Sequence, residues 1–179
     1  MTYYLNRLIL TTKTKYKLCL DMEAYKLIVS NDTIILLSDI VFYLDDYNYI
    51  RLADLRIENI YINNLDISKL TYLEYFFSNL TQTKQIVLEN FDTRRINNYN
   101  FMFKFCKNLK YINIENIKTN NAITMKGMFR GCLSLMNLDL RHFIIKDTCD
   151  IEGIFYGCTY RKTFFVTNKR LKGALYDEE

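Results

Sequence analysis

The chain has 179 residues, 50% of them apolar and 15% aromatic, and 24 Lys and Arg against 20 Asp and Glu leave a net charge of +4. That length and apolar content suit one domain with a sizeable core. The chain has no proline, no tryptophan and five glycines, so no Pro/Gly/Ser-rich linker divides it, and no apolar run reaches the roughly 18 residues of a membrane span. The opening Met1-Thr2-Tyr3-Tyr4-Leu5 lacks a basic region followed by a long apolar stretch and a cleavage site, so the expected location is cytoplasmic. The richness in Asn, Ile, Lys and Tyr points to an AT-rich genome.

In chain order, Leu5 to Met22 and Lys26 to Leu37 are expected to be strands, with polar turns at Lys13-Thr14-Lys15 and Ser30-Asn31-Asp32. A repeat array needs its first apolar face covered, so residues 1–50 are expected to form a β-rich N-terminal cap; the alternative is a small effector element. Asp45 and Asp46 are adjacent carboxylates in a polar stretch, where they are expected to face water.

From there a period of 26 residues takes over. Ile60-x-Ile62-x-x-Leu65, Ile86-x-Leu88-x-x-Phe91, Ile112-x-Ile114-x-x-Ile117 and Leu138-x-Leu140-x-x-Phe143 follow one another at that spacing, with Phe164-Phe165-Val166 as a partial fifth copy. Phe77, Phe103, Phe129 and Phe155 keep the same register, as do Leu80, Cys106, Cys132 and Cys158. A fixed period of this length is the mark of a solenoid, whose repeats bury apolar faces against their neighbours. Met125, Met128, Phe129 and Cys132 fall at i, i+3, i+4 and i+7, one face of a short helix. Leu138-x-Leu140 then alternates as a strand does. The expected class is α/β: strands of successive repeats parallel and about 4.8 Å apart on one side, short helices on the other.

The runs Met128-Phe129-x-x-Cys132-x-x-Leu135-x-x-Leu138-x-Leu140-x-x-Phe143 and Met102-Phe103-x-x-Cys106-x-x-Leu109-x-x-Ile112-x-Ile114-x-x-Ile117 resemble the BspA-type leucine-rich repeat. The resemblance covers roughly residues 55–166, in four to five repeats. It implies a leucine-rich-repeat solenoid with a narrow parallel sheet on its concave side and short helices on its convex side, and a protein-binding role. The family's members are often cell-surface proteins with many copies. This chain departs from that pattern in having few repeats, and Arg51 stands in the phenylalanine column. The expected division is a cap at 1–50, the solenoid at 51–167, and a polar closing segment or tail at 168–179.

Nothing in the sequence marks an enzyme. His142, the only histidine, is expected to be a solvent-facing turn residue; it shares no motif with a nucleophile. No phosphate-binding glycine loop is present. The ladder of Cys106, Cys132 and Cys158 reads as buried thiols packing like small hydrophobes. Cys19 and Cys149 fit no ligand motif. No catalytic residue, metal or cofactor is assigned.

A binding surface is expected where the strands' alternate residues point outward. On that face Tyr61, Gln85, Tyr111, Asn113, Asn137, Asp139, Arg141 and Phe165 mix aromatic anchors with adaptable polar groups. Residues 1–92 carry 9 Lys/Arg and 12 Asp/Glu, and residues 93–179 carry 15 and 8. Lys84, Lys110 and Lys162 share one column at the start of the strands, suited to an acidic patch on a partner, and Lys104 and Arg130 share another on the helical side. The expected function is a non-enzymatic protein-binding module, an adaptor or inhibitor that occupies a surface of a larger protein. A sharper version is a phage- or mobile-element-encoded inhibitor of a bacterial defence complex. The alternatives are a nucleic-acid-binding protein using the basic C-terminal half, disfavoured because the basic columns are expected on different faces, and a fragment of a surface adhesin. No membrane partner is expected, and self-association is left open.

Overall fold

The computed structural model describes residues 26–30, 33–37, 59–63, 67 and 70–176. The expected strand over Leu5 to Met22, the turn at 13–15, the Asn31-Asp32 turn tip, Asp45, Asp46, Cys19 and residues 177–179 lie outside them.

Five strands form one sheet in chain order: β1 (Lys26–Ser30), β2 (Thr33–Leu37), β3 (Asn59–Asn63), β4 (Gln85–Glu89) and β5 (Tyr111–Asn113). β1 and β2 pair antiparallel, with Ser30 opposite Thr33. From β2 onward the pairs are parallel. Their register is the sequence period: Asn59 faces Gln85, Ile60 faces Ile86, and Ile86 faces Ile112. The hairpin therefore sits at the end of the sheet, against β3. Each I-x-I pair alternates inward, and Ile60, Ile62, Ile86, Leu88, Leu138 and Leu140 are all essentially buried.

Behind the strands the aromatic column stacks. Phe77 lies 5.3 Å from Phe103, Phe103 lies 5.5 Å from Phe129, and Phe129 lies 6.1 Å from Phe155, with ring planes within 21° of one another. Phe164 closes this column edge-on, 5.4 Å from Phe155. At the C-terminal end a short helix, α1 (Lys169–Ala174), starts at Asn168, whose side chain accepts from the Arg170 and Leu171 amides. It buries Leu171 and Leu175 against the core, so the closing segment adds apolar cover as well as charge.

The expected short helices are not what the described residues form. Where i, i+3, i+4, i+7 spacing called for a helix, the chain makes successive turns. In 73–79, Phe76 N and Ser78 N reach back three residues, to Leu73 O and Tyr75 O. The intervening amides cross instead to the next repeat, from Leu73 to Asn98 O, Tyr75 to Asn100 O, Phe77 to Met102 O and Asn79 to Lys104 O. The same alternation recurs over 99–105 and 125–131. Left-handed residues punctuate it: Tyr75 and Asn79, Phe101 and Phe105, Gly127 and Gly131. An α-helix requires unbroken negative φ and bonds to i−4. Here half the amides tie adjacent repeats together, and a positive φ at every fourth residue prevents helical propagation. The apolar residues still bury, because paired turns deliver them inward at nearly the same spacing.

The sheet is also shorter than five regular rungs. β5 has three residues, and beyond it the fourth and fifth repeats share a single bridge, Asp139 with Phe165. Asn137 adopts φ +54°, which takes the backbone out of the extended region.

Candidate functional site

The interrupted sheet creates a recess on the strand face. Rungs four and five hold together through Leu140 N to Phe165 O and Phe165 N to Leu138 O, both 2.8 Å. The Asn137 amide donates to Thr163 Oγ1 at 2.9 Å, turning toward rung five. Rung three is held to rung four only at the margins. Met136 N reaches Lys110 O at 3.4 Å, and His142 Nε2 lies 3.0 Å from Ile114 O at the other end. Between these ties opens a cleft of about 540 Å³, walled by Tyr111, Asn113 and Glu115 on one side and Asn137, Asp139 and Arg141 on the other. Tyr111 N reaches back to Lys84 O on the previous rung. Alternation in a parallel ladder then turns the Ile112 amide toward the cleft.

Five of the residues expected on the binding face line this cleft. Tyr111 is 51% exposed and Phe165 50% exposed. The Arg141 guanidinium lies 5.6 Å from the centre of the Phe165 ring and grips Asp139 through a two-pronged hydrogen-bonded pair. That grip, with the Arg141 amide on the same carboxylate, holds Asp139 down to about 2. Arg141 is thus oriented by Asp139, presenting a planar, partly neutralised edge beside the exposed Phe165 ring. Gln85 lies on β4, half-buried. Tyr61 is on β3, one rung before Val87; its side chain lies outside what is described.

Lys84, Lys110 and Lys162 are exposed. The Lys110 and Tyr111 amides both donate to Lys84 O, at 2.8 and 3.2 Å, which sets Lys84 and Lys110 one rung apart. Lys162 lies in a 3₁₀ turn, Arg161–Thr163, next to the Thr163 hydroxyl that ties down Asn137.

His142 corrects its expected place. It is half-buried, edge-on to Phe143 at 4.9 Å. A carbonyl only accepts, so the ring carries its proton on Nε2 and bridges two repeats. Burial holds its pKa below the usual histidine value.

The three aligned thiols face inward. Cys106, Cys132 and Cys158 Sγ donate to Phe77 O, Phe103 O and Phe129 O at 2.9, 3.1 and 3.0 Å, each reaching back to the preceding repeat. Burial pushes Cys106 and Cys158 up to about 12, so they are protonated and poor metal ligands or nucleophiles. Among the described residues no group of three or more His, Cys, Asp or Glu is placed to hold a metal. No helix there is long and apolar enough to cross a membrane.

Sequence reasoning missed an aromatic and cationic cluster on the turn side. Tyr75 stacks on Phe101 at 5.0 Å, Lys104 Nζ lies over Phe101 and Phe105, and Arg130 sits 4.2 Å over Tyr156. Its signal was present: Gly127 and Gly131 follow Phe101 and Phe105 by one period. A Cβ on either glycine would collide with the facing ring.

The family model described as Mycoplasma protein of unknown function, DUF285, matches residues 50–167, about two thirds of the chain, so the chain belongs to that family. No curated protein and no solved structure matches it.

Proposed function

We propose that this chain is a leucine-rich-repeat solenoid of the BspA type, and that it is a non-enzymatic protein-binding module. It acts as an adaptor or inhibitor, docking its strand face on a larger protein. The DUF285 match supports the repeat assignment, as that family is linked to BspA-like repeat proteins. So does the 26-residue register of the parallel pairs. The observation that carries the binding reading is the cleft beside Tyr111. An exposed ring, amides at Asn113 and Asn137, and an oriented Asp139–Arg141 pair surround an opening in the backbone ladder. Aromatic and arginine anchors next to adaptable amides and main-chain groups suit a protein segment.

The test compares two proteins in the same capture from native-cell lysate: the wild type, and Tyr111→Ala with Phe165→Ala. Both rings are half-exposed, so the variant should melt like the wild type. The expected result is that a partner held by the wild type is lost from the variant. Equal capture by both would remove the strand face as the binding surface.

A further inference from the structure

Each repeat reaches its strand through a loop, and four successive loops lie side by side as one rim, upstream of the strands. The contacts between them are direct. Phe105 N donates to Arg130 O at 2.7 Å and Lys110 N to Lys84 O at 2.8 Å. Asn108 Nδ2 donates to Thr81 O at 2.6 Å, and Asn137 N to Thr163 Oγ1.

The charge of this rim has one sign. Residues 79–85, 104–111, 130–137 and 156–163 contain seven Lys and Arg and no Asp or Glu. The opposite rim, downstream of the strands, contains five of each over 89–98, 115–124 and 141–150, and α1 adds three cations after it. Lys104, whose ammonium lies over Phe101 and Phe105 on the turn side, and Lys110, just before β5, are the two ends of the same loop, so the rim joins the two basic columns. Rings stand among these cations: Tyr111 and Tyr160 are exposed, while Phe105 lies under Lys104 and Tyr156 under Arg130.

We infer that the upstream rim binds single-stranded nucleic acid. Four loops at a rung spacing of about 4.8 Å offer a strip of roughly 15 Å, enough to follow a few phosphates of one strand. Lysines suit phosphates as point charges, and the Asn, Ser and Thr side chains between them are common phosphate donors. Tyr111 and Tyr160 offer ring faces on which unpaired bases stack, whereas a duplex hides its base faces. An acidic protein surface is the weaker occupant, because lysine is depleted at the centres of protein interfaces. This inference does not rest on the strand-face reading. The rim and the face share Gln85, Tyr111 and Asn137, which the test leaves untouched.

The test is fluorescence anisotropy of the full chain with fluorescein-labelled oligouridylate of about 12 nucleotides, titrated at several salt concentrations. Binding is expected, with log K falling against log salt at a slope of about −2 to −3, as for three or four phosphate contacts at ~0.7 each. The triple variant Lys84→Glu, Lys110→Glu, Lys162→Glu should lose affinity by at least about tenfold. The charge-matched control Lys118→Glu, Lys146→Glu, Lys172→Glu should change it by less than about twofold. All six lysines are exposed; if the rim variant fails to fold, the triple Lys→Gln change takes its place with the same ordering expected. Tyr160→Ala should weaken binding by about fivefold or more with the salt slope unchanged. No binding by the wild type at low salt overturns the inference. So do equal losses from both triple variants, duplex bound as tightly as single strand, and displacement by polyglutamate as effective as by unlabelled oligonucleotide. The last would assign the rim to an acidic protein.

Discussion

The upstream and downstream rims flank the same strands and share the same period, but they are tied together by different groups. Downstream, Thr93 and Thr119 bury their hydroxyls. Thr93 Oγ1 donates to Lys118 O and accepts from Lys118 N, and Thr119 Oγ1 does the same with Ile144. Tyr99 OH adds a bond to Lys118 O at 2.8 Å. Upstream, the inner column is thiols, each donating once to the preceding repeat. A hydroxyl that both donates and accepts replaces a pair of main-chain bonds; a thiol supplies one weak bond and packs as a small hydrophobe. The difference teaches that the inner position at each rim accepts different small groups, and upstream also Leu80, while the outward residues differ in charge. Downstream their charges balance; upstream every charged one is cationic. A charge imbalance that folding does not demand is the kind of feature that a ligand explains.

The comparison breaks most completely if the shared core is cut. Phe129 is fully buried between Phe103 and Phe155, so Phe129→Ala should destabilise by about 3–5 kcal/mol and loosen both rims at once. Thermal denaturation followed by circular dichroism measures the loss, and an unchanged melting temperature would show that the column is not core. A smaller change separates the rims. Thr119→Val keeps the shape but strands the Ile144 amide and carbonyl, and should cost about 1–3 kcal/mol. Cys132→Ala, upstream, should cost closer to about 1 kcal/mol, removing one small side chain and one weak bond. Urea titration of the two variants gives the ordering; a larger loss from Cys132→Ala would reverse the account of what links each rim.

The smallest expected effect is one of pH and sits at the downstream edge of the cleft. Burial lowers the pKa of His142 below 6.5 in the folded chain. The unfolded chain therefore binds a proton at this ring that the folded chain resists, and this contribution to stability is lost as pH falls below about 6.5. Asp139 and Glu115 nearby favour the charged ring and Lys118 opposes it, so the loss should stay under about 1 kcal/mol for a half-exposed group. Melting temperatures between pH 7.5 and 5.5 should fall less in His142→Gln than in the wild type. Parallel curves for the two would show that the ring does not titrate differently on folding.

Much of the residue-to-residue pairing was legible in the sequence, because in these stacked units the neighbour of residue i is residue i+26. Ile86 lies over Ile112 and Phe103 over Phe129 for that reason alone. The same spacing misled over 73–79 and its counterparts. A helix and a run of paired turns bury nearly the same positions, and hydrophobic periodicity does not report the sign of φ. Phe101 and Phe105, bulky residues at positive φ, give no such sign in isolation. Only their facing glycines at Gly127 and Gly131 hint at it. The cleft was half legible. Its lining residues were expected on the outward face, but the parting of the ladder depends on Asn137 turning to Thr163, a competition between neighbours. His142 was misplaced because no local pattern shows that Ile114 O, 28 residues away, lies within reach.

The sequence by itself determined which side chains enter the core and which residue each one meets, since a strict repeat of apolar positions can be buried only by aligning like with like. The tertiary structure decided the backbone path between those positions, the place where the ladder opens, and the contacts that join the loops between the two basic columns. Those outcomes turn on hydrogen bonds between neighbouring repeats, and such bonds exist only once the repeats have stacked.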